Sequence, residues 1–67
     1  MSIAKVTEIS STSTQSFEHA IEEGIARAGK TLRNVKSVWV KELHVRVENN
    51  RPAEYQVNMM VTFVLDE

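Results

Sequence analysis

Cysteine is missing from this 67-residue sequence, which removes disulfides and thiolate metal sites from consideration. The two histidines have no CxxC or HxxxH companions, so a structural zinc site has no support. An excess of charge of one sign is lacking too: eight Lys and Arg against nine Asp and Glu leave a formal net charge of −1. A dedicated nucleic-acid binder normally carries a basic patch, so no nucleic-acid partner is expected. No apolar run approaches the ~20 residues of a membrane span. The opening "MSIAKVTEIS" has no signal-peptide hydrophobic region, so the expectation is a cytoplasmic protein without a membrane partner. Phosphate loops of the GxGxxG and GxxxxGK(S/T) types are absent, and no Ser/His/Asp constellation can be placed. The carboxylates are dispersed rather than paired, so neither an enzyme nor a metal site is expected.

What remains is a short chain, read as a single domain over residues 1–67. A chain of this size buries only about 60% of the surface its unfolded form exposes. Ordering it costs on the order of 100 kcal/mol at about 1.5 kcal/mol per residue. With disulfides and metal set aside, association with copies of itself is the remaining route to stability.

Residues 2–10, "SIAKVTEIS", mix β-branched and polar residues and predict a short first strand, followed by the hydroxyl-rich break "SSTSTQ". Thr12 and Gln15 fit a capping box, predicting a helix from near Ser13. Phe17, Ala20, Ile21, Gly24, Ile25, Ala28 and Leu32 form one apolar stripe at helical spacing. Glu23 and Arg27 stand at i, i+4 on another face, and His19, beside Glu18 and Glu22, is expected to be exposed. Gly24 lies on the stripe, which predicts close approach of the helix to a neighbour; Gly29, Lys30 and Arg33 mark the helix end.

Val35 to Glu48 reads as one long strand whose alternation changes phase. Val38 and Val40 are apolar at even positions, whereas Leu43, Val45 and Val47 are apolar at odd ones. A bulge near Lys41–Glu42 would produce this. "NNRPA", Asn49 to Ala53, reads as the turn, with Pro52 ending the pairing. In the last strand, "EYQVNMMVTFVLD", Tyr55, Val57, Met59, Val61, Phe63 and Leu65 form one face, and Glu54, Gln56, Asn58, Met60 and Thr62 the other.

The fold class is therefore α+β, with the order strand–helix–strand–strand in a three-stranded antiparallel sheet. One helix covers only one face of such a sheet. The other keeps Trp39, Gln56, Asn58 and Met60, too apolar for open solvent and too polar for a dry core. Surfaces of that kind serve as subunit interfaces or ligand sites.

The order of elements, the "KV" before a Ser/Thr-rich turn, the helix "SFEHAIEEGIARAGKTLRNV" and the closing "YQVNMMVTFVLD" together resemble the dodecins, over essentially the whole chain. The resemblance implies a sheet wrapped around the helix and twelve subunits assembled as a hollow homo-oligomer. It also implies binding and storage of a flavin, riboflavin or FMN, as small-molecule partner. In that family two flavins stack between symmetry-related tryptophans, and a glutamine of the last strand hydrogen-bonds the ring. The glutamine corresponds to Gln56, while the tryptophan position is occupied by Ser37. Trp39 shares its face two residues along, about 7 Å away at ~3.3 Å per residue. The expected cofactor-contacting set is Gln56, Trp39, Ser37 and Val38. Two readings follow: Trp39 substitutes for the missing stack, or it fills the pocket and the assembly holds an ion or another small molecule instead.

Overall fold

The structure, a computed structural model, describes residues 3–65. Its elements are β1 (Ala4–Ser13), α1 (Phe17–Thr31), β2 (Val35–Glu48) and β3 (Arg51–Val64). They form an antiparallel sheet of order β1-β3-β2 with the helix on one face. The closing strand is central, which is why its alternation is the clearest in the sequence: both of its edges are paired and its odd face is buried. Val57, Met59 and Val61 are fully buried there. They pack with Ala20 of the helix, and Ile9, Phe17, Ile21 and Val38 close around them.

The helix stripe works as the spacing predicted, through small residues. Ala20, Gly24 and Ala28 are the buried positions of α1. A Cβ at Gly24 would collide with Met59 Cε and lie 3.2 Å from Ser11 Cβ, so glycine here permits the close approach of helix to sheet. Helix and sheet are unequal in length. At ~1.5 Å per residue the 15-residue helix spans about 22 Å, while 14-residue strands at ~3.3 Å reach about 46 Å. The β2–β3 hairpin therefore projects past the helix, giving a molecule of 51 × 19 × 13 Å. Leu43 and Val45, on the helix side of that arm, and Val47 near its tip are left exposed.

Four boundaries differ from expectation. β1 does not stop at Ser10 but runs to Ser13, because Ser11, Thr12 and Ser13 pair with Val57, Gln56 and Tyr55. Ser2, at the expected start of that strand, lies outside the described residues. The helix starts at Phe17, not near Ser13, and Ser16 is its cap, accepting from the His19 amide at 3.0 Å. Ser13 is instead the buried hinge of the turn: its hydroxyl accepts from the Gln15 amide at 2.9 Å and contacts His19 Nδ1 at 2.7 Å. His19 is thereby half-buried and tied to β1, not free in solvent. Gly29 lies inside the helix, and the reversal falls on Leu32, whose extended backbone donates to Ala28 O, and on Asn34 at φ 60°. Finally, the hairpin turn is only Asn49 and Asn50, at φ 53° and 62°, the left-handed pair that suits a two-residue type I′ connection. Pro52 does not end the pairing; it sits opposite Val47 beside a register shift, on the strand that begins at Arg51.

The expected bulge is present. Register slips between Val40 and Glu42, leaving Lys41 without an opposite residue. Lys41 lies between outward Trp39 and outward Glu42, so the slip is what changes the phase of β2.

Candidate functional site

The face of the sheet away from the helix is built from even positions of β1 and β3 and from both phases of β2. Across it the pairs read Ser37–Thr62–Val6, Trp39–Met60–Glu8, Glu42–Asn58–Ser10 and His44–Gln56–Thr12. At one end Trp39 is 68% exposed, over Met60 of the central strand, with exposed Val6 on the same face. An indole so exposed on a flat sheet is a ready stacking platform. Met60 beside it adds a polarizable, adaptable neighbour.

At the other end the groups are polar and mutually bonded. Gln56 Nε2 donates to Ser10 Oγ at 3.0 Å and to Asn58 Oδ1 at 3.1 Å. Asn58 Nδ2 donates in turn to Glu42 Oε1 at 3.0 Å. That bond holds the Glu42 carboxyl below its ordinary 4.5 against the opposing effect of desolvation, with lesser help from the nearby His44 and Lys41. Between the two ends, Lys41 leaves the bulge and its Nζ lies 3.4 Å from Glu8 Oε2 on the far edge strand. Beyond the polar end, Arg46 pairs with Glu48 and Glu54 toward the hairpin tip.

The bulge decides this arrangement. Without the slip Lys41 would stand opposite Asn58; with it, Glu42 does. The sequence points to Gln56 and Trp39 and puts Asn58 on their face, but it gives no part to Glu42 or Ser10. Their meeting depends on register across three strands. The signal that could have found them was the phase change itself, since counting outward positions past the bulge turns Glu42 and His44 toward Gln56.

Of the four expected contact residues, Gln56, Trp39 and Ser37 share the outer face, while Val38 pairs with Val61 and packs against the core on the opposite one. Trp39 and Gln56 do not converge within one chain. Their places on β3, at Met60 and at Gln56 itself, are four residues apart, about 13 Å at ~3.3 Å per residue. Grooves lie elsewhere. One of about 510 Å³ runs between α1 and β1 past Gly24 and Arg27, and one of about 320 Å³ lies between Ile25 and β2. The outer face is an open surface, and a ligand held there is enclosed only when a second surface covers it.

The family profile for Dodecin matches residues 3–66. The chain belongs to the dodecin family. It is 38% identical to the dodecin of Thermus thermophilus over 65 residues, covering 97% of this chain and 94% of that protein. The crystal structure of an arginine variant of that dodecin superposes with a TM-score of 0.94 at 37% identity, covering 100% of this chain and 98% of the other. Dodecin from Streptomyces davaonensis matches with a TM-score of 0.93 at 38% identity, covering 98% and 97%. A calcium dodecin of Mycobacterium tuberculosis, described with a calcium-binding site, matches at 0.82 and 26% identity over 96% and 91%. The dodecin architecture, one helix on an open three-stranded antiparallel sheet, is the one found here. Among the described residues no helix is long and apolar enough to cross a membrane.

Proposed function

We propose that this chain, as one dodecin-like domain over residues 1–67, is a non-catalytic flavin-binding protein that stores or sequesters riboflavin or FMN. It does so as a cytoplasmic homo-oligomer, a hollow dodecamer. The observation that carries this reading is the outer sheet face, with an exposed indole at one end and an ordered glutamine amide at the other. Trp39 stacks on the ring and Gln56 meets its polar edge. Because the two stand about 13 Å apart along one chain, the ring is sandwiched between facing protomers, with Ser37 at the margin of the site. Val38 contributes through its backbone only. Stacking between aromatic planes shortens the excited state of the flavin, which makes sequestration protective.

Self-association has its own support. Among the described residues, nine large apolar side chains are exposed in the single chain, from Ile3 and Val6 through the hairpin arm to Leu65, against five buried apolar residues. That balance is the reverse of what a stable monomer of this size requires. Titrating riboflavin with the purified oligomer tests the function: saturable quenching of flavin fluorescence supports it, and unchanged fluorescence rejects it.

A second reading keeps the oligomer and removes the flavin. Ser37 stands where the resemblance places the stacking tryptophan, and a relative binds calcium. In this reading Trp39 fills the cleft and the ligand is an ion or another small molecule. Among the described residues no three His, Asp or Glu side chains lie together within one chain, so an ion would be held between protomers.

A further inference from the structure

Gln56 belongs to a chain of hydrogen bonds with a direction, and the direction is set by a charge. An ionised carboxylate only accepts, so the group Glu42 receives from Asn58 is the amide NH₂. Asn58 must then turn its carbonyl oxygen toward Gln56, and Gln56 must answer with its own NH₂, as the 3.1 Å contact has it. The second proton of that NH₂ goes to Ser10 Oγ. Both donors of Gln56 are thereby used within the protein, and its carbonyl oxygen is left as the atom available to a ligand. Ser10, accepting from Gln56, keeps its hydroxyl proton to give. The orientation of an amide is ordinarily ambiguous, because its two ends are nearly isosteric. Here the acceptor-only Glu42 removes the ambiguity.

Resting on the flavin-binding reading of this face, we infer that Glu42 and Asn58 are positioning residues that fix Gln56 as a hydrogen-bond acceptor. Gln56 and Ser10 then present an acceptor and a donor side by side, selecting a planar ring whose edge carries an N–H next to a C=O. The pyrimidinedione edge of an oxidised flavin has that pattern; a ring alkylated at the same nitrogen does not. The bulge at Lys41 is what places Glu42 at the head of the relay.

The test compares lumiflavin with its N3-methyl derivative by fluorescence titration of the assembled protein, in wild type, Glu42→Gln and Asn58→Leu. Wild type binds the methylated ring more weakly, on the order of tenfold or more, the usual consequence of an unpaired polar group. The side-chain amide introduced by Glu42→Gln can donate as well as accept, so this variant lets the amides of Asn58 and Gln56 invert. Asn58→Leu removes the link outright. In each the ratio between the two ligands falls toward one while the native mass stays that of wild type. Equal binding of both ligands by wild type overturns the inference, and so does a wild-type ratio retained in both variants. Should wild type bind neither flavin, the flavin reading fails separately and the relay is read in the free protein. Its Gln56 side-chain NH₂ protons then exchange slowly in nuclear magnetic resonance spectra and shift in Glu42→Gln. Protons that exchange like those of a solvated glutamine refute the relay.

Discussion

Replacing Trp39 with alanine separates the two readings of the outer face by the sign of its effect. Trp39 is 68% exposed in the single chain. A tryptophan offers up to ~250 Å², which leaves about 170 Å² to be covered on binding. A stacked ring covers one face of the indole, about half of that area, contributing roughly 2 kcal/mol at ~25 cal/mol per Å². The aromatic pairing adds ~0.5–1.5 kcal/mol, for a total of about 3 kcal/mol. Trp39→Ala should therefore weaken riboflavin by a factor on the order of a hundred. The assay is fluorescence quenching of riboflavin, with native mass recorded for both proteins so that loss of assembly is not mistaken for loss of stacking. An unchanged affinity would show that the indole does not touch the ligand. A tighter affinity would show that it fills the cleft, and the storage reading would have to be abandoned for the second one.

Three further outcomes follow from the fold. Gly24→Ala should destabilise although it improves helix propensity by ~1 kcal/mol, because the added methyl meets Met59 Cε and Ser11 Cβ and overpacking costs ~1–3 kcal/mol; a thermal melt at fixed protein concentration that rises contradicts the close-approach argument. Asn50→Gly should be tolerated and Asn50→Val should lower the melting temperature by several degrees, since only the β-branched residue resists φ 62°; equal melting temperatures would remove the left-handed turn from the account. Glu42 titrates below its ordinary 4.5 in the folded chain, so its contribution to stability is present above the unfolded value and is lost as the pH falls through the lower folded one. Melting temperature should accordingly decline on acidification below about 4.5, and Glu42→Gln should flatten that decline; an unchanged slope in the variant would refute it.

The parts of the fold that one element dictates alone were readable in advance. The bulge follows from the valine phase of β2, and the core face of β3 from its own alternation. Other features needed a partner strand. Ser11, Thr12 and Ser13 look like a loop until β3 is laid beside them, where each has an opposite residue. The run "SSTSTQS" offers several hydroxyls able to cap a helix, and the choice of Ser16 was made by the engagement of Ser13 with His19 and the Gln15 amide. Pro52 reads as a stop, yet a strand tolerates it beside a register shift. At the candidate site, Gln56 came from the family resemblance and Trp39 from its place opposite the valines. The residues that orient Gln56 are dispersed over three strands, and although the slip itself is legible in β2, which residues meet there depends on the pairing of all three strands.

The central claim is that the outer face, closed by other copies of the chain, holds a flavin. The most direct measurement is native mass and visible absorption on the same freshly purified sample, followed by riboflavin titration. The expected result is a particle of twelve 7.6 kDa chains that carries or takes up flavin and quenches its fluorescence to saturation. A monomer or dimer, or an assembled but colourless protein that leaves riboflavin fluorescence unchanged, contradicts it.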